Sequence, residues 1–235
     1  MIGRGAGAVL AWAYGALGTL GVLLASPVLA WFALHPGQKG DQWRERLGRL
    51  PRGVPRGAVW IHAASVGEVT ALGPLLRELR RLRRPPRVVL SVMTVTGRAR
   101  ARALYREPAV LAPLDVPPCA RWWAFAAAPR ALLVMETELW PARIAAAAAV
   151  APVAWVNGRL SDRSYPWYRL GAPLVGRLFG RMRRLGVIGP EDARRAIALG
   201  APARRVTVCG NLKVDSLEAG APPRGMPRGT WLVAG

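Results

Sequence analysis

From Ala58 onward, short β-branched runs alternate with stretches of helical period, and this alternation constrains the fold more than any other feature of the chain. The stretch WIHAASVGEVTALGPLLREL, Trp60 to Leu79, shows one unit. A β-branched start runs into Ser65 and Gly67. Val69, Leu72, Leu75, Leu76 and Leu79 then recur at helical spacing. Strands are expected at 58–64, 87–93, 109–113, 131–136, 152–157, 185–189 and 205–210. Helices are expected at 67–83, 97–106, 117–127, 140–149, 165–182 and 190–199. Parallel strands need crossovers long enough to hold a helix. The pattern therefore predicts an α/β fold: a Rossmann-like parallel sheet with helices on both faces. No internal repeat accompanies it.

The flanks read differently. Between Arg4 and His35 no residue is charged, a run longer than the roughly 20 residues that span a bilayer. Residues 1–34 are read as an N-terminal membrane-anchor helix, with Trp12, Tyr14 and Trp31 suited to the interfaces. Small residues around Ala25 and Ala30 offer a cleaved signal as the rival. The glycines and Pro27 also permit a segment that enters one leaflet without crossing. Residues 35–57 form a basic connector, where Lys39, Arg44, Arg46, Arg49 and Arg52 outnumber Asp41 and Glu45 and set the following chain on the cytoplasmic side. The α/β domain runs over 58–218, and 219–229 is a Pro/Gly linker. TWLVAG, 230–235, reads as the first strand of a C-terminal domain missing from this chain, which makes the chain a fragment.

With 34 basic and 13 acidic side chains the formal charge is +21. That favours anionic partners, although an Arg-rich coding bias produces the same excess. No nucleic-acid-binding signature accompanies it. Cys119 and Cys209 read as small buried hydrophobes, without metal spacing to His35 or His62. No glycine-rich phosphate loop, DxD or HExxH occurs, so neither a cofactor nor a metal is expected.

Ligands of open parallel sheets bind at the carboxyl ends of the strands. Polar residues gather at those ends: Glu68 after the first strand, Thr94 and Thr96 after the second, Asp115 after the third. Glu136, Thr137 and Glu138 follow the fourth, Asn157 and Arg159 the fifth, and Asn211, Lys213 and Asp215 the seventh. Each alone is equally an ordinary cap or turn residue; together they predict one shared cleft. Lys213 is one of only two lysines in an Arg-dominated chain, a hint that a compact ammonium is wanted there. His62, inside a strand, reads as a structural hydrogen-bonder.

The motifs RERLG, WIHAASVGEV, SVMTVTG, PLDVP, METELWP, NGRLSDRS, GNLKVD and WLVAG, in this order, resemble the 3-deoxy-D-manno-octulosonic acid (Kdo) transferases of lipid A assembly, from about Gln42 to Gly235. The resemblance implies the N-terminal, acceptor-binding half of a two-domain GT-B glycosyltransferase at the cytoplasmic face of the inner membrane. Such an enzyme transfers Kdo from CMP-Kdo to a phosphorylated lipid A precursor (lipid IVA), with inversion. It implies Glu68 as catalytic base, with Glu136 and Lys213 stabilising the transition state. Glu138, Thr94, Thr96, Asp115, Asn157 and Arg159 are expected in acceptor contacts or cleft structure, Glu138 alternatively as a cap for the helix at Trp140-Pro141. CMP-Kdo would bind in the missing domain, so this chain alone is expected to be inactive. Arg-rich runs such as 77–87 and 177–184 could meet anionic membrane lipids. GVIGPEDARR departs from the family pattern, which has a more polar strand end there. Two alternatives stay open: a non-catalytic, anchored lipid-phosphate-binding half-domain, and a GT-B transferase using another nucleotide sugar.

Overall fold

A computed structural model describes residues 2–34 and 38–214. Asp215, the linker at 219–229 and the strand at 230–235 lie outside the described residues. Each expected strand run contains a strand: β1 (Val59–His62), β2 (Val88–Val92), β3 (Ala109–Leu111), β4 (Ala131–Met135), β5 (Val153–Gly158), β6 (Arg184–Val187) and β7 (Val206–Val208). They form a seven-stranded sheet of order β3-β2-β1-β4-β5-β6-β7. Every neighbouring pair is parallel. The order reverses direction between β1 and β4, which is where a doubly wound sheet opens a crevice at its carboxyl edge.

Helices cover both faces. Alternate residues of each strand point to opposite sides. Val59, Ile61, Leu90 and Val92 therefore pack with Leu72, Leu76 and Ala101 on one face. Trp60, Val89 and Leu132 pack with Trp123, Ile144 and Phe179 on the other. The first face carries α4 (Val66–Thr70), α5 (Gly73–Arg81) and α6 (Val95–Leu104); the second carries α7 (Pro117–Ala127), α8 (Pro141–Ala148), α9 (Tyr165–Leu170), α10 (Ala172–Arg181) and α11 (Pro190–Ala198). Two expected helices are each broken in two. Pro74 and Pro173 lack the N–H that would continue the preceding turn, so new helices start at Gly73 and Ala172. Cys119 is buried as expected, but Cys209 is exposed because it follows an edge strand.

The N-terminal run forms α1 (Ile2–Leu24) and α2 (Ser26–Leu34), separated at Ala25 just before Pro27. Residues 5–24 are long and apolar enough to cross a membrane, with mean hydropathy 1.7. The helix nevertheless lies along the domain, against α10 and α7. Its contact face is made of glycines. A Cβ at Gly15 would come within 3.0 Å of Pro117, and one at Gly18 within 2.8 Å of Val116. The opposite face, including Leu17 and Leu24, is exposed.

The connector contains a helix that its Gly-rich, polar sequence does not announce: α3 (Gln38–Arg46). Buried Glu45 explains it. Its carboxylate pairs with Arg98 at 2.7 Å and accepts the Leu111 N–H, closing one end of edge strand β3. Arg46 donates to the Met93 carbonyl at 2.8 Å, and its own carbonyl accepts from Leu114 N at 2.7 Å. Gly48 then turns at φ +94°, where a Cβ would stand 2.5 Å from the Cys119 carbonyl. Removing one member of such a pair leaves its partner's charge uncompensated. Glu45→Ala is expected to lower the unfolding free energy by about 3 kcal/mol in urea melts. Asp41→Ala, which removes an exposed pair with Arg44, should change it by less than about 1 kcal/mol.

Candidate active site at the carboxyl edge of the sheet

The turn after β1 is built around Ser65. Its hydroxyl accepts the Glu68 N–H at 3.2 Å and caps α4. Glu68 reaches back in return: one carboxylate oxygen accepts from Ala64 N at 2.9 Å and the other from the Ser65 hydroxyl at 3.0 Å. This is a reciprocal capping arrangement, and it holds the carboxylate in one rotamer. Glu68 is buried. Burial pushes its pKa up from 4.5 to about 7; the Ala64 and Ser65 bonds oppose this, while the charges of Glu138 and Glu136 add to it. A carboxyl group balanced near neutral pH, beside two other carboxylates, is suited to accepting a proton.

Glu136 and Asn157 end adjacent strands β4 and β5, and both are left-handed, at φ 45° and 54°. Non-glycine residues hold that conformation only where surrounding bonds impose it. The indole of Trp155 donates to the Glu136 carbonyl. Asn157 is buried and donates to the Glu136 carboxylate at 3.4 Å, while its own side-chain oxygen accepts from Leu212 N at 3.0 Å. The segment after β7 is thereby drawn over the cleft, and Lys213 pairs with Glu136 at 2.8 Å. Glu136, Asn157 and Lys213, distant in sequence, form one group.

Asp115 belongs to a second, buried group. It accepts the backbone N–H groups of Ala142 and Arg143 at 3.1 and 2.8 Å, in the first turn of α8, where Trp140 offers no side-chain cap. It also accepts from the Tyr14 hydroxyl at 2.9 Å, which ties α1 to the domain. Arg143 lies inside this group and is the one buried cation among the described residues. A positive side chain is unfavourable at a helix N-terminus. Burial pushes its pKa down to about 10, offset by the charges of Asp115 and Glu138. Arg143 donates to His62 Nε2 at 2.9 Å and stacks over Trp140 at 5.3 Å. His62 meets the Ser91 hydroxyl at 3.0 Å. Burial, then Arg143, hold His62 near pKa 4 against the opposing pull of Glu138. It is neutral at physiological pH, so its 3.7 Å approach to Glu138 is not an ion pair there. Glu138 accepts from the Trp140 indole at 2.6 Å. Burial alone would raise its pKa; His62, Trp140 and Arg143 more than offset that and hold it below the ordinary value.

The remaining candidates have simpler surroundings. Thr94 caps α6 by accepting Gly97 N at 3.0 Å and receives the Thr96 hydroxyl at 3.1 Å; both are exposed. Arg159 is exposed. Sequence reasoning missed Arg143. Its one signal is an arginine set two residues after Pro141 in an otherwise alanine-rich helix.

A parallel sheet with a direction reversal, covered on both faces and carrying acidic and basic groups at its carboxyl edge, defines a Rossmann-like α/β domain. Solved structures share this fold. A UDP-GlcNAc 2-epimerase from Neisseria meningitidis bound to UDP-GlcNAc matches with TM-score 0.51 and 16% identity, covering 68% of this chain and 48% of that one. An S. aureus MnaA–UDP complex matches with TM-score 0.53 and 16% identity, covering 72% and 49%. The family model for 3-deoxy-D-manno-octulosonic-acid transferase (kdotransferase) matches residues 41–216. The Kdo transferase of Bordetella pertussis is 35% identical over 210 residues, 82% of this chain and 47% of the relative. That of Haemophilus influenzae is 30% identical over 207 residues, 83% and 48%. The chain belongs to the Kdo transferase family, and it spans about half the length of these curated relatives.

The Glu68 environment has a thermodynamic signature. With a folded pKa near 7 against 4.5, the native state binds more protons than the unfolded chain between those values. The protonated carboxyl therefore contributes stability that is complete below pH 4.5 and is lost as pH rises through about 7. Glu68→Gln, which cannot ionise, is expected to be more stable than the wild type by about 3 kcal/mol at pH 8 and equal to it near pH 4 in urea melts.

Proposed function

We propose that this chain is the acceptor-binding half of a glycosyltransferase that moves Kdo from CMP-Kdo to a phosphorylated lipid A precursor, lipid IVA, at the cytoplasmic face of the inner membrane. CMP-Kdo would be held by a C-terminal domain such as the relatives' greater length accommodates, and turnover would require it. The observation that carries the reading is Glu68: a buried carboxylate with pKa near 7, fixed by its own turn at the edge where sheets of this type bind ligands. Family membership supports the choice of reaction. The 20-residue apolar segment of α1 supports the membrane location.

In the proposed step, the acceptor hydroxyl oxygen attacks the anomeric carbon of Kdo from the face opposite the phosphate. Glu68 takes the hydroxyl proton as the new bond forms. The bond from the anomeric carbon to the phosphate oxygen breaks, and its electron pair leaves with CMP, so the configuration inverts. CMP is a stable anion and needs no second acid. A base with a pKa near 7 is ionised in a large share of molecules at neutral pH and is still basic enough to accept the proton as it is released. Lys213 would face negative charge on the departing phosphate or the sugar carboxylate, and Glu136 positive charge on the sugar ring. Their 2.8 Å pairing before substrate arrives keeps both side chains oriented.

Assays with CMP-Kdo and lipid IVA, on protein that carries a C-terminal nucleotide-sugar domain, test this. Glu68→Gln is expected to lower kcat by about 10²–10⁴-fold with little change in the acceptor KM. The wild-type rate should climb with pH through about 7 on its acid limb. Near-normal turnover by Glu68→Gln would remove Glu68 from the role of base. Lys213→Met and Glu136→Gln should each slow transfer, and the double variant should be no slower than the worse single one, because the two act as a coupled pair.

A further inference from the structure

A cavity of about 960 Å³ lies between α1 and the outer surface of α7, α8 and α10, running from Pro117 and Pro141 at the carboxyl edge to Val150 and Arg181 at the far ends of the helices. It exists because of an unusual run of small side chains. The outward face of α8 presents Ala145 and Ala149, and α1 presents Ala11 and Gly15, so the helices cannot interdigitate where they face each other. The walls are apolar and include Trp12 and Leu20. An apolar groove of this size falls in the range that accepts small-molecule ligands. It is bounded by a helix whose outer face is itself apolar and exposed, so at a membrane it opens toward hydrocarbon.

Three arginines line the same groove: Arg121 on α7, and Arg177 and Arg181 on α10. All three side chains are exposed. Arg177 and Arg181 are one helical turn apart on α10, so their side chains lie on the same face. An apolar trough bordered by like charges is complementary to a ligand with a hydrocarbon chain and an anionic head.

We propose that this groove holds one anionic glycerophospholipid, its acyl chain in the α1–α8 trough and its phosphate at Arg177 and Arg181. The position argues for a bilayer phospholipid rather than the glycosyl acceptor. In a parallel sheet, α8 and α10 run from the carboxyl edge back to the amino edge. Arg181 ends α10, so it stands at the amino edge, at least about 12 Å from the carboxyl edge, the length of an eight-residue helix. A phosphate bound there lies at the end of the groove away from a hydroxyl reacting at Glu68. The bound lipid would complete the packing between α1 and the domain that the alanines leave open. The proposal rests on α1 being membrane-associated and is independent of the role of Glu68.

Native mass spectrometry of the chain purified in mild detergent tests it, with phosphatidylglycerol and phosphatidylcholine as probes. The wild type is expected to retain one phosphatidylglycerol per chain, with roughly tenfold or greater preference over phosphatidylcholine. Ala145→Leu should lose the lipid by filling the trough, while keeping its far-UV circular dichroism and its binding to mixed vesicles. R177Q/R181Q should keep a lipid but lose the preference for the anionic one. The proposal is overturned if the wild type retains neither lipid or both equally, if Ala145→Leu retains lipid as the wild type does, or if only a glycolipid of the acceptor type is held. Failure of the wild type to bind vesicles at all would instead remove the membrane association on which the site depends.

Discussion

Parallel pairing is the constraint on which the rest of the molecule depends. Because all seven strands run the same way, every strand ends at the same edge, and every loop that follows a strand opens there. Glu68, Glu136, Asn157 and Asp115 come from four different strand ends and converge without any one loop having to be long. The helices return along the opposite direction, so their N-termini meet at that same edge and supply backbone N–H groups to it. Asp115 uses two of these, from Ala142 and Arg143, in place of a local cap. The site is thus a consequence of sheet direction before it is a consequence of side-chain chemistry.

Electrostatics at this edge is a balance of burial against pairing. Glu68 and Glu138 are both acids next to β-strand ends, yet their pKa values move in opposite directions. Both feel the same tendency of burial to favour the neutral form. Glu138 is offset by His62, Trp140 and Arg143, and stays ionised. Glu68 has only two uncharged donors and two neighbouring negative charges, and rises. The buried Arg143 therefore does more than satisfy Asp115: it helps separate two carboxyl groups into an ionised one and a titrating one. Neutral His62 takes part through its hydrogen bonds to Arg143 and Ser91 rather than as a charge.

The same buried group reaches the N-terminal helix. Tyr14 bonds Asp115 across 101 residues of sequence, so the apolar N-terminal helix and the first turn of α8 share one carboxylate. The glycine face of α1 lets its backbone approach Pro117 and Val116 closely. That approach lays the helix along the domain, and it leaves the alanine face of α8 uncovered.

All seven strands, the helices that lie between them and the gathering of polar residues at strand ends are legible in the sequence, because β-branched runs, a helical period and chain direction are local properties. Two breaks, at Pro74 and Pro173, are marked in the sequence only by the missing N–H, and the hydrophobic period continues across them. Helix α3 was hidden because its stability comes from Glu45 reaching Arg98 and Leu111, not from its own composition. The tertiary structure alone decided that Asp115 serves α8 and α1, that Arg143 is buried, that Lys213 meets Glu136, and that Glu68 titrates near neutrality. Those outcomes depend on desolvation and on contacts between residues far apart in the chain. Residue order determines which groups are available; only the folded surroundings set the charge each one carries.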